Sequence, residues 1–204
     1  MSKDAQNRKT IGILAYGSLI SDPRIEIETH HTEIIKDVMT PFHVEFARSS
    51  SGRGGAPTLV PVSSRGSYVK GQVFVMNLSE EEATHVLYRR EIGIQGQTDR
   101  LYKRPKVVTE NTVLVERLTD FAGLDVVLYT EIAATIVPLT AERLADLAIA
   151  SVAKSKPKLD GITYLKAAKE SGIVTALSPS YETEILRKTD SETLDQALAK
   201  LQSQ

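Results

Sequence analysis

Ile11 to Leu14 form a short apolar run bounded by Thr10 and by Tyr16-Gly17-Ser18, a pattern that predicts a buried strand with an exit loop. Phe42 to Arg48 alternates instead, with Phe42, Val44 and Phe46 on one face and His43, Glu45 and Ala47 on the other. Arg48 is expected to leave the sheet there. Ser49 to Pro57 is rich in Ser and Gly and predicts a mobile loop, after which Thr58 to Val62 returns as a strand. Tyr68 to Met76, Lys106 to Leu118 and Asp125 to Ile132 supply three further strands. The stretch from Asp22-Pro23 to Val38 is expected to be irregular or partly helical.

Helical spacing takes over elsewhere. Ser79 precedes three glutamates, so its hydroxyl can accept the amide proton of Glu82 while the Glu82 carboxylate reaches back. Ala83, Val86 and Leu87 then share a face, with Arg90 beside it, and Gly93 is the expected stop. That places Glu91 on the last turn or just beyond it, where a side chain can point into a cleft. Thr140 caps a second helix with Leu144, Leu147, Ala148 and Val152 at helical spacing. Ile162 to Ser171 ends at Gly172, and Ser191 to Leu201 forms a terminal helix. Strands then helices make an α+β fold, read as a single domain over 1–204 with a helical C-terminal extension.

Composition narrows the function classes. With 204 residues, 41% hydrophobic and 25% charged, the chain suits one globular domain. No apolar run approaches the ~18 residues of a membrane helix, and the polar start from Met1 to Lys9 lacks a secretory segment, so a cytoplasmic protein is expected. The absence of cysteine excludes disulfides, thiolate ligands and a cysteine nucleophile. A formal charge of −1 gives no global reason to expect nucleic acid or an anionic membrane as partner. His30 and His31 are adjacent and point apart on any regular element, and no ligand set completes them, so neither metal nor cofactor is expected. Gly52-Arg53-Gly54-Gly55 lacks the Gly-Lys-Ser/Thr ending of a phosphate loop, and Arg100 to Lys106 carries four basic residues with one aromatic, Tyr102, as a solvated loop would.

Candidate chemistry centres on Tyr16-Gly17-Ser18-Leu19. Gly17 can take positive φ or admit a ligand close to the backbone, so that N–H groups around Ser18 and Leu19 converge on an anion. An ordinary strand-to-loop turn uses the same residues. This loop is followed in order by Phe46-Ala47-Arg48-Ser49, Gly55-Ala56-Pro57-Thr58-Leu59-Val60-Pro61 and Tyr88-Arg89-Arg90-Glu91-Ile92-Gly93. In that order the chain resembles the gamma-glutamylcyclotransferase-like proteins. The likeness spans about residues 10 to 175 and is nearest to the ChaC-related branch, which shares a late segment like Tyr164-Leu165. Against the glutathione-degrading branch, Ser21-Asp22-Pro23 replaces an aromatic-containing segment and tryptophan is absent.

The resemblance implies a small mixed β-barrel flanked by helices, with its pocket at the loop ends. It also implies conversion of a γ-glutamyl amide into 5-oxoproline and a free amine, by attack of the glutamyl α-amine on its own γ-carbonyl. Because the nucleophile belongs to the substrate, the protein supplies positioning and proton transfer. By resemblance Glu91 is the general acid/base, and Tyr16, Gly17, Ser18 and Leu19 bind the γ-glutamyl part through main-chain amides. Arg48 would neutralise a substrate carboxylate and Tyr102 would bring a hydroxyl near the acid. Each has a plainer alternative: Glu91 pairing with Arg89 or Arg90, Arg48 at the surface, and Tyr102 in a core or interface. The rival function is a non-catalytic module of the same fold that binds an amino acid or peptide.

Overall fold

A computed structural model of the chain describes residues 9–94 and 96–203. The polar start read above as lacking a secretory segment lies, up to residue 8, outside the described residues. No described helix is long and apolar enough to cross a membrane. The secondary structure is mixed, α+β, and the described chain divides into two compact units. One runs up to Ala15 and continues with Asp22–Val38 and Gly71–Ile132; the other holds Tyr16–Ser21, Met39–Lys70 and the chain from Ala133 onward.

The first unit is built on a five-stranded sheet. Its central strand β1, Ile11–Ala15, is buried throughout and reads as an unbroken apolar run because both of its faces are covered. The strands β2 (His31–Met39), β5 (Lys70–Met76), β6 (Leu114–Phe121) and β7 (Leu124–Glu131) complete it in the order β2-β5-β1-β7-β6. β1 lies antiparallel to β5 and parallel to β7, with Ile11 opposite both Met76 and Val126. The sheet is open. β2 and β6 end the order as edges, so the barrel expected from the resemblance is not closed by the described strands. The stretch expected to be irregular resolves into the helix α2 (Arg24–His30) followed by β2. β6 begins at Leu114 and not at Lys106: Val107 and Val108 are 74% and 58% exposed, apolar residues outside any strand.

Helix α3, Glu80–Glu91, begins with the expected capping box. The Glu82 amide donates to the Ser79 hydroxyl at 3.3 Å and the Glu82 carboxylate accepts from the Ser79 amide at 2.8 Å. Ala83, Val86 and Leu87 are buried and the helix packs on β1 and β7.

The second unit pairs β3 (His43–Ser50) with β4 (Ala56–Val62). The loop expected to be mobile is a tight turn, Ser51–Arg53, in which Gly54 donates to the Ser51 carbonyl and Gly55 to the Ser50 carbonyl. Arg48 likewise does not leave the sheet; a bulge between Glu45 and Arg48 lets the strand continue with Arg48 opposite Thr58. The helices α4 (Ala141–Val152) and α5 (Gly161–Glu170) pack on β4, α6 (Ser178–Thr189) meets β3 where Tyr181 lies against Phe46, and α7 (Leu194–Gln202) packs on these three helices; the short helix α1 is Ser18–Ser21. Phe46, Leu144, Tyr164, Leu165, Tyr181 and Ile185 belong to one buried cluster, with Tyr16 and Ile20 packed against it.

Candidate functional site

The loop that leaves β1 turns at Gly17, whose φ is +70°. A β-carbon there would stand 2.7 Å from the Tyr164 hydroxyl and 3.4 Å from a methyl of Leu59, so the turn requires glycine for backbone conformation and for space. Ile20 donates to the Gly17 carbonyl at 3.1 Å, closing the turn at once. Tyr16 meets the Phe42 ring edge-on at 5.6 Å and Leu19 is buried, while Ser18 is only partly covered. On α5, Tyr164 lies against this turn. Its hydroxyl accepts from the Leu59 amide at 3.4 Å, its ring meets Phe46 edge-on at 6.0 Å, and the Arg53 guanidinium sits 4.7 Å over its centroid.

Arg48, on β3, is partly buried and donates to the Ala133 carbonyl at 3.0 Å.

Glu91 is the final residue of α3, at the place its sequence context predicts. Its carboxylate accepts from the Arg90 guanidinium at 2.6 Å, and its side chain is 25% exposed. Of the two arginines it could have paired with, it takes Arg90. That guanidinium also donates to the Asp22 carbonyl at 2.8 and 3.2 Å. Arg89 is buried and grips both oxygens of Glu26, which accepts in addition from the Gly96 amide at 2.9 Å. The bond from Arg89 and the Gly96 amide hold the Glu26 carboxyl below the usual carboxylate range, against the opposing effect of burial. The end of α3 is thus fastened by two arginines before Glu91 enters any chemistry. Tyr102 is partly buried: its amide donates to His85 Nδ1 at 3.1 Å, its hydroxyl accepts from the Val115 amide at 3.2 Å, and its ring lies 5.2 Å from that of Tyr88.

Tyr16 to Leu19 and Arg48 thus belong to one compact unit, and Glu91 and Tyr102 to the other. His30 is exposed, and His31 packs edge-on against Phe74 with its Nδ1 3.2 Å from the Ile27 carbonyl. Among the described residues no group of three or more His, Asp and Glu side chains could hold a metal ion. A cavity of about 220 Å³ in the second unit is lined by Ile149, Lys188, Thr189, Asp190, Lys200 and Leu201, with no predicted site residue among them. Its lysines face carboxylates, Lys188 at 2.8 Å from Asp146 and Lys200 at 3.8 Å from Asp190.

Two groups and one contact escape sequence reasoning. Glu45, which alternation places with His43 and Ala47 on the face opposite Phe46, is fully buried, and burial pushes its carboxyl up despite the bonds it accepts. Arg53 was visible only as part of a glycine-rich segment without a phosphate-loop ending. Tyr164 was read as a family feature and carried no contact to Gly17, because residues so distant in the chain leave no local signal of touching.

Comparison with known proteins adds little. No family model matches the chain, and no curated protein matches it. Among solved structures it is similar to a yeast γ-glutamyl cyclotransferase described as specific to glutathione, at 15% identity and a TM-score of 0.40, over 96% of this chain and 97% of that one. A superposition so loose decides neither family nor activity.

Proposed function

We propose that the protein is a γ-glutamylcyclotransferase-like enzyme that converts a γ-glutamyl amide or peptide into 5-oxoproline and a free amine. The observation that carries this reading is the Gly17 turn, where a left-handed glycine at the end of a buried strand is pressed by the Tyr164 hydroxyl in the space a side chain would need. A turn so constrained presents backbone and not side chain to whatever approaches it. In the reaction the α-amine of the γ-glutamyl group attacks its own γ-carbonyl carbon; the new C–N bond closes the five-membered ring and the bond to the leaving amine breaks. The α-ammonium gives up two protons on its way to the lactam N–H, one before attack and one after the C–N bond forms; the leaving nitrogen takes up both and departs as an ammonium, so no water is consumed. The amides of the Tyr16 to Leu19 loop bind the γ-glutamyl carboxylate or the developing oxyanion, and Glu91 moves the proton. Arg48 and Tyr102 are assigned as further substrate contacts. No metal or organic cofactor enters the scheme.

One observation favours the rival reading, a binding module for an amino acid or peptide. Glu91 is held by Arg90, as a purely structural carboxylate would be. Release of 5-oxoproline from a panel of γ-glutamyl amides distinguishes the two. The catalytic reading expects release from at least one member without added metal; calorimetric binding of the panel with no release from any of it would establish the binding module instead.

A further inference from the structure

Among the described residues four arginines are at least partly buried, namely Arg48, Arg53, Arg89 and Arg90. Arg89 and Arg90 grip carboxylates, and Arg48 donates to a carbonyl. Arg53 differs. Among the described residues its guanidinium has no carboxylate partner and no hydrogen-bond acceptor, and its contact is the face of the Tyr164 ring. A guanidinium stacked on an aromatic face keeps its planar fork of N–H donors directed outward, the geometry that takes a carboxylate in two parallel bonds.

Nor is Arg53 on a loose tip. The turn that carries it is closed by the bonds to the Ser50 and Ser51 carbonyls and by the Ser49 hydroxyl, which donates to the Gly55 carbonyl at 3.0 Å. Gly54, at φ +64°, packs so closely on the connection after α4 that a β-carbon would come within 2.9 Å of backbone atoms of Lys154 and Ser155. The cation is therefore preorganised. Its stacking partner is the same tyrosine whose hydroxyl fills the space beside Gly17, so a single phenol separates Arg53 from the binding turn. All of these residues belong to one compact unit.

We propose that Arg53 is a specificity-determining residue that binds a second carboxylate, carried by the leaving amine, and selects γ-glutamyl amino acids or peptides over neutral γ-glutamyl amines. The substrate class rests on the γ-glutamyl reading above, in which the loop amides engage the first carboxylate. Selection of this kind arises because an unpaired, partly desolvated guanidinium gains a charge-assisted pair only from the acid form.

The test uses two compounds that differ only at that carboxylate, γ-glutamylalanine and γ-glutamylalaninamide, and measures both calorimetric binding and 5-oxoproline release. The full chain is expected to bind the acid about tenfold or more tightly than the amide, the equivalent of one good ion pair. Arg53→Met keeps an apolar stem on the Tyr164 ring and should abolish that preference, whereas Arg53→Lys should restore part of it; circular dichroism and thermal unfolding check that both variants fold. An acid preference that persists in Arg53→Met, or its absence from the parent, overturns the assignment. The outcomes remain separable from the parent reading. Equal release of 5-oxoproline from both compounds would leave the enzyme standing and sink Arg53, whereas Arg53-dependent selective binding without release would do the reverse. Failure of the parent to bind either compound would remove both.

Discussion

In the first unit, the Glu26 carboxylate is gripped by Arg89 and by the Gly96 amide; in the second, Glu45 is fully buried and has no cation among the described residues. Glu45 accepts only from neutral donors: the Phe46 amide at 2.9 Å, the Thr175 hydroxyl at 2.6 Å and the Leu177 amide at 3.0 Å. Both carboxylates fasten the end of a helix. Glu26 holds the loop that follows α3, and Glu45 holds the turn before α6, where Thr175 and Ser178 also bond each other. Their titration runs in opposite directions because the dominant cause differs, a guanidinium bond for Glu26 and desolvation for Glu45. Helix ends can therefore be fixed by a charge pair that tolerates neutral pH or by a buried acid that favours the protonated form.

The largest expected effect comes from breaking the first arrangement. Arg89→Ala leaves Glu26 mostly covered without its cation and removes the donor to the Arg100 carbonyl, so it should cost about 3–5 kcal/mol in urea unfolding. A loss under about 1 kcal/mol would mean that the pair is screened like a surface one, and the contrast with Glu45 would vanish.

A smaller effect, but one that sharpens the contrast, is expected from pH. Glu45 has a raised folded-state pKa, so its contribution to stability is present below the ordinary value of 4.5 and is lost as pH rises through the folded value. Glu26 is lowered, so its contribution is present above 4.5 and is lost as pH falls through the folded value. Glu45→Gln should cost about 1–2 kcal/mol at acid pH, because an amide matches the three donors less well. That gap should narrow as pH is raised, while the gap between the parent and Glu26→Gln should narrow as pH is lowered. Parallel shifts in the two series of unfolding curves would contradict the assignment of opposite causes.

What was legible in the sequence follows the strength of local signals. Ser79 with Glu82 fixed the start of α3 and Gly93 marked its stop, since both act within a single turn of backbone. β1 was legible because a strand covered on both faces is apolar at every position. β2 was not, because at the sheet edge Ile34 and Ile35 are both only partly buried and no alternation develops. The Gly17 turn could be named from its tripeptide, but its tight fit to Tyr164 depends on a helix far along the chain. The burial of Glu45 was not legible because alternation separates the two faces of a strand without showing that both are covered, as Phe46 and Glu45 are here. That Arg53 meets no carboxylate among the described residues is likewise a fact about neighbours and leaves no mark in composition.

The central claim is that Glu91 moves a proton during ring closure and does not merely answer Arg90. Its most direct test is the turnover of Glu91→Gln on a γ-glutamyl amide from which the parent releases 5-oxoproline. Glutamine keeps the size of the side chain and an acceptor for the Arg90 guanidinium while removing the basic carboxylate. The account predicts a folded variant that still binds the substrate, with turnover lower by about 10²-fold or more. A variant that forms 5-oxoproline at the parent rate would make Glu91 a structural partner of Arg90 and contradict the mechanism.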